Sequence, residues 1–422
     1  MINKEILTSI QPQFVKVAFV SSCLPRKCGI ATFTNDLMKS IDNLNGASYS
    51  EIIAMTDHGQ SYDYPDKVKF EINQFSKTDY EQAAQHINQS SVDIVSIQHE
   101  FGLHTGPSSG LTCCLSAGAK EIIEDEIEIE DEHYLLSMLD NIVKPIVTTF
   151  HTILPSPNRQ QMYVVRRIIK RSAAIVAMSE ISRNVLIDIY DCPPEKAVVI
   201  CHGVPDFEFD KTKKYQTKLN IKDANPMILS AGLLGPGKGL ETIIQAMPLI
   251  IEKLPLAKLF IVGQTHPVIL SNEGESYRHM LIKIIKKNNL TNNVEFVNRY
   301  LCDNDLQDYF QATDYFVTAY ARMQQSTSGM LAWGISAGKI CLSTPYQHAV
   351  ELLSDGTGIL VKQNSASAIA DGVVDTFNNS TKSKNMRHKA YEKGHDWIWS
   401  NVATDYLRLF AECINRHKDI VV

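Results

Sequence analysis

The feature that most constrains this chain is an alternation that runs its whole length. Short apolar, β-rich runs are separated by longer stretches with helical periodicity. In the first half the runs are residues 14–20, 92–97, 145–149, 174–177 and 197–200, and in the second 227–231, 259–262, 294–297, 315–318, 340–343 and 358–361. Continuous apolar runs suit strands covered on both faces, as in parallel sheets. Intervening segments such as 239–254 and 277–288 show a 3.6-residue period. The sequence therefore predicts an α/β architecture with right-handed crossovers.

The repeat breaks at residues 206–225, DFEFDKTKKYQTKLNIKDAN, which are polar and poor in large aliphatics. The halves on either side are similar in length and pattern. We expect two facing Rossmann-like doubly wound domains, 1–210 and 211–395, followed by residues 396–422, whose amphipathic stretch 402–417 should pack as a helix back toward the first domain. In such folds ligands lie at the carboxyl ends of strands, so a cleft between the domains would collect both sets of ends.

Composition narrows the class. Of the 422 residues 44% are hydrophobic and 21% charged, as in soluble globular proteins. Nothing approaches 18 consecutive apolar residues, so no transmembrane segment is expected. The nine cysteines, at 23, 28, 113, 114, 192, 201, 302, 341 and 413, form no CxxC pair and read as free thiols of a reducing compartment. With no apolar signal core in MINKEILTSIQPQ, a cytoplasmic location is expected.

The net charge of −6 reports one local run. EIIEDEIEIEDE, residues 121–132, has eight acidic residues and no basic one, and without them the chain would carry +2. Charge therefore predicts neither nucleic-acid nor anionic-membrane binding. The segment around 112–133 reads either as a solvated insertion or as an acceptor lid or partner surface.

Five strand-end loops carry chemistry. In SSCLPRKCGIATFT (21–34) Gly29 permits close backbone approach, Arg26 and Lys27 add positive charge, and Thr32 or Thr34 can cap the next helix. QHEFGLHTGPSSG (98–110) brings His99, Glu100 and His104, and FHTILPSP (150–157) brings His151, to the same predicted edge. Each could instead be a plain connection with a structural histidine; zinc-type helical spacing is absent. GLLGPGKG (232–239) fits G-x-x-x-x-G-K but has Gly239 where a P-loop needs Ser or Thr, and no strand of that half ends in a metal-binding Asp. Nucleotide hydrolysis is disfavoured, yet the amides of Gly235 and Gly237 with Lys238 at a helix start still suit a diphosphate. In RMQQSTSGMLAWGISAG (322–338), Ser326, Thr327, Ser328 and Gly329 open a small-residue helix, a second phosphate-friendly start or an ordinary capped core helix.

The chain resembles the retaining nucleotide-sugar glycosyltransferases of the GT-B fold, family four (glycosyl transferase group 1). The resemblance rests on CGIATFTNDL, TFHTILP, CHGVPD, SAGLLGPGKGLETIIQAM, LFIVGQTHP, NVEFVNRYL and the block from Gln325 to Leu360. HEFG, EGESYR and TPYQHAVELL are similar to a bacterial subgroup linked with mannoside or glucoside metabolism. The resemblance implies that Lys238 binds the donor diphosphate, that Ser326 to Gly329 meet the distal phosphate, that Gly263, Tyr300 and Leu301 lie on the donor side, and that Gly29 and His151 lie near the reacting sugar. Arg26, His99, Glu100 and His104 are acceptor-side candidates. The family's phosphate arginine falls on Leu233, and its Glu-x7-Glu motif on Gln325 and Trp333. The amide of Gln325 could still hydrogen-bond sugar hydroxyls, whereas Trp333 cannot replace a carboxylate.

The expected activity is transfer of a hexose, mannose or glucose, from a GDP- or UDP-sugar to a sugar or glycan acceptor. It would proceed with retention and with no metal or cofactor, through His151, Lys238 and Gln325. A phosphorylase or synthase on the same fold, a degenerate sugar-nucleotide binder and a nucleotide-sugar epimerase are the rivals. The sequence leaves the oligomeric state open.

Overall fold

The computed structural model describes residues 14–46, 49–104 and 133–421. The acidic run, Cys113, Cys114 and the 98–110 loop beyond His104 lie outside the described residues. The chain divides into two compact units, 1–203 with 399–422, and 204–398.

The first unit is built on one parallel sheet. Its strands are β1 (Val17–Ser21), β2 (Glu51–Thr56), β3 (Val68–Asn73), β4 (Ile94–His99), β5 (Ile146–Phe150), β6 (Ala174–Ala177) and β7 (Ala197–Val199). They lie in the order β3-β2-β1-β4-β5-β6-β7, every pair parallel. The second unit repeats the winding with β8 (Met227–Ala231), β9 (Lys258–Val262), β10 (Val294–Val297), β11 (Tyr315–Thr318), β12 (Ile340–Ser343) and β13 (Gly358–Leu360). Their order is β10-β9-β8-β11-β12-β13, again all parallel. In each unit the chain starts centrally, winds to one edge and returns beside its start, so the switch points lie between β1 and β4 and between β8 and β11. Ligand sites of doubly wound sheets gather there.

Every apolar run read from the sequence is a strand. Two strands escaped it for a physical reason. β3 is an edge strand that puts alternate side chains in solvent, so it has no continuous apolar run. β2 is buried, but Glu51 and Thr56 bracket it and shorten its apolar stretch.

The polar run 206–225 is not a free linker. Phe207 is buried, with its ring centroid 5.8 Å from Trp333 and 6.4 Å from Phe310. Thr212–Lys218 is a helix whose Gln216 donates to the Ala312 carbonyl at 3.0 Å. A few aromatics in a charged stretch are enough to fasten it to the second unit, so the division falls after Gly203.

The helix Trp399–Val421 belongs to the first unit. Its Ala403, Tyr406, Leu407 and Phe410 are buried against Phe19, Leu37, Ile41 and Val176, and the Tyr406 hydroxyl meets Thr149 at 2.9 Å. Gly203, the last residue before the second unit, lies under the Trp399 ring so closely that a Cβ there would overlap it. No helix among the described residues is long and apolar enough to cross a membrane.

Candidate functional site

The carboxyl edge of the second sheet gathers five loops. Lys238 follows β8 in the glycine loop and precedes the helix Leu240–Lys253. The loop needs its glycines: at Gly239 φ is +66° and a Cβ would overlap the Ala319 carbonyl, and at Gly263, after β9, φ is +136° and a Cβ would overlap the Gly232 carbonyl. Both positions let two strand-end loops pass closer than any side chain permits. Gly235 and Gly237 precede Gly239 in the same loop, Gly237 with φ +90° and its carbonyl accepting from the Ala321 amide at 2.9 Å. The Leu234 amide donates to the Gln264 carbonyl at 2.9 Å, which ties the β8 loop to the β9 loop.

The Lys238 ammonium sits 4.3 Å from the centroid of the Tyr320 ring, a favourable cation–π distance. Among the described residues it forms no ion pair. Nearby His266 is held below the ordinary imidazole range by burial and then by the Lys238 charge. Tyr300 and Leu301 follow β10, and Leu301 is buried ahead of the helix Asp303–Ala312.

After β11 the chain runs through Gln325 and Ser326 to the helix Gly329–Ser336, whose N-cap is Ser328. The Ser328 hydroxyl accepts from the Leu331 amide at 3.4 Å, and the Ser328 amide donates to His348 Nδ1 at 2.9 Å. That amide is therefore already occupied, which the spacing of SerThrSerGly does not reveal. Gln325 Nε2 donates to the Thr327 carbonyl at 2.8 Å. Trp333 points into the core, edge-on to Phe207 and Phe310.

In the first unit, Gly29 opens the helix Gly29–Leu44 with open space over its Cα. Neither Thr32 nor Thr34 caps that helix. Both lie inside it, Cys28 is the N-cap, and Thr34 instead meets the Ser21 hydroxyl at 2.7 Å. Arg26 is held inward by the Met55 carbonyl at 3.0 Å and by Asp57, just past β2, at 2.6 Å, so its charge is paired with a neighbouring strand end.

Around the end of β4 lies a layer of uncharged imidazoles. His99 and His104 are buried, their rings stacked 5.8 Å apart. His104 Nε2 meets the Gln98 carbonyl at 3.1 Å and His151 Nε2 meets Gln98 Oε1 at 3.0 Å. Burial lowers all of them: His99 well below 6.5, His104 and His202 to about 4, and His151 to about 3. Glu100 is raised by burial, while its carboxylate accepts from Thr152 at 2.7 Å. Neither ring nitrogen of His99 has a partner among the described residues. Among those residues no group of three or more His, Cys, Asp or Glu could hold a metal ion.

The structure thus brings Gly235, Gly237, Lys238, Gly263, Tyr300, Leu301, Gln325 and Ser326–Gly329 to one sheet edge in the second unit, and Arg26, Gly29, His99, Glu100, His104 and His151 to one edge in the first. Sequence reasoning passed over Gln98, His266, Tyr320, Tyr346 and His348. The first four sit in or shortly after a strand end, and that placement is the signal that could have found them; His348 lies in the helix Gln347–Leu353, where no such signal marks it.

Comparison with known proteins bears on the family and the fold. Residues 211–393 match the model of the family "Glycosyl transferases group 1", and residues 132–206 match that of "Glycosyltransferase Family 4". Among curated proteins, an uncharacterized glycosyltransferase of Methanocaldococcus jannaschii is 34% identical over 98 residues, which is 22% of this chain and 25% of that relative. The chain thus spans a quarter of that relative's length. Among solved structures, a sucrose-phosphate synthase of Thermosynechococcus elongatus superposes with a TM-score of 0.72 at 13% identity, over 95% of this chain and 100% of that one. The Anabaena protein HepE, crystallised with UDP and glucose, gives 0.71 at 13% identity over 94% and 100%. A glycosyltransferase of Rickettsia africae gives 0.66 at 17% identity over 95% and 99%.

Proposed function

As a group 1 glycosyltransferase built on the GT-B fold, this chain is, we propose, a retaining hexosyltransferase that moves mannose or glucose from a nucleoside diphosphate sugar to a sugar or glycan acceptor. One observation carries the reading: Lys238 stands at the switch point of the second sheet, beside Gly237 with open space over its Cα, with no ion pair among the described residues. A cation so placed meets the charge that grows on a departing diphosphate.

In the proposed step the bond from the sugar C1 to the diphosphate oxygen breaks, and the acceptor hydroxyl oxygen bonds to C1 on the same face. The hydroxyl proton passes to the departing phosphate. Lys238 and the amides around Ser326–Gly329 supply the stabilising charge in place of a metal ion. Gln325 Oε1 accepts from a donor sugar hydroxyl while its Nε2 stays with Thr327. In the first unit His151, its ring neutral and bonded to Gln98, hydrogen-bonds carbohydrate rather than carrying charge.

Thermal shift with GDP, UDP and ADP identifies the donor base. Lys238→Ala should then lower kcat/KM by the equivalent of about 2–4 kcal/mol, as when an oxyanion donor is lost. Near-normal transfer by that variant overturns the assignment. The burial of Trp333 favours a second reading, a sugar-nucleotide binder without turnover, because no carboxylate stands at that position to hold a ribose. Saturable nucleotide binding with no transfer to any acceptor would select it.

A further inference from the structure

We propose that His348 is a positioning residue for the donor diphosphate, holding the loop Gln325–Ser328 in its phosphate-binding shape through two backbone ties. The inference rests on the donor-site reading above and names a residue that reading does not use.

The first tie runs from the Ser328 amide to His348 Nδ1 at 2.9 Å, and the second from the His348 amide to the Gln325 carbonyl at 3.3 Å. A third hydrogen bond, from the Gln347 amide to the Met323 carbonyl at 3.0 Å, continues the same seam. His348 is buried, 2% exposed, so the amide of Ser328 has a partner that water cannot easily replace. Because Nδ1 accepts, the ring is the tautomer with its proton on Nε2.

The consequence for binding is a selection among amides. Ser328 N–H is turned toward the histidine and withheld from any ligand, which leaves the amides of neighbouring loop residues to meet a phosphate. The seam also reaches the lysine. Tyr346, just before Gln347, stacks on Tyr320 at 5.0 Å with 17° between the planes, and the Tyr320 ring also meets the Lys238 ammonium at 4.3 Å. Tyr346 is fully buried, with its hydroxyl bonded to the Ser328 side chain and 3.3 Å from Thr318 Oγ1. The two phosphate-friendly elements of the unit therefore share one support, the segment Tyr346–His348. A site preorganised in this way loses ligand affinity when its support is removed even though no contacting group is touched.

The test compares His348→Ala with His348→Asn, whose Oδ1 can accept where Nδ1 did. Amide exchange of the Ser328 region is read in the free protein, and donor KM and kcat are read in the transfer assay. Expected are exchange at least tenfold faster in His348→Ala, a donor KM raised about tenfold with kcat within threefold, and recovery of both in His348→Asn. Exchange and donor KM unchanged in a folded His348→Ala overturn the inference. So does a folded His348→Asn that recovers neither. If exchange behaves as expected but wild type binds none of GDP, UDP and ADP, the donor reading falls and the functional half of this inference falls with it.

Discussion

Trp333 shows how a departure from a family motif can be structural. It stands where the resemblance expects a carboxylate, yet its indole fills an aromatic cluster with Phe207 and Phe310. Restoring the acid as Trp333→Glu would bury an unpaired charge and leave a void where the ring was. The expected cost is about 3–5 kcal/mol, read as a lower urea midpoint for the second unit, with no gain in donor affinity. Improved nucleotide binding without loss of stability would show that the position faces the ligand. The same scale explains what could be read of the site. Lys238 was legible because glycines in a fixed pattern advertise a phosphate loop. His348 was not, because its work is a hydrogen bond to a backbone amide, and no spacing in the sequence marks the partner of an amide.

At the scale of elements the alternation of apolar runs predicted every strand but β2 and β3. β3 exposes alternate side chains and so carries no continuous apolar run, whereas β2 is buried but has its apolar stretch shortened by Glu51 and Thr56. The terminal helix was read from its amphipathic stretch, and the structure extends it to Trp399–Val421. Its Tyr406, Leu407, Leu409 and Phe410 are fully buried. At about 2 kcal/mol per large side chain, their loss removes roughly 8 kcal/mol, comparable with the whole stability of an ordinary domain. Ending the chain after Ile398 should therefore leave the first unit unfolded and the second intact, checked by calorimetry and limited proteolysis. A native first-unit transition in that truncated chain would mean the helix is dispensable.

For the whole molecule the two units should answer acid differently. His99 and His104 are 0% and 1% exposed, and both are held below the ordinary value of 6.5, His104 at about 4. The unfolded chain binds protons first as pH falls. Stability is therefore greatest above pH 6.5 and falls as the pH drops below it, for His104 down to about pH 4. His151 and His202 shift in the same direction. Calorimetry from pH 7.5 to 4.5 should resolve a first-unit transition that falls faster than the second, and replacing His99 and His104 together by Gln should flatten that slope. Parallel decline of both transitions would contradict it. The second unit is one unbroken segment, entered at Val204 and left at Ile398, which bridge each other, whereas the first needs residues on both sides of it. On the ribosome the second unit can close while Trp399–Val421 is still untranslated, so the part of the chain made first is finished last, and its unfilled apolar face must wait for chaperone cover or for the end of synthesis.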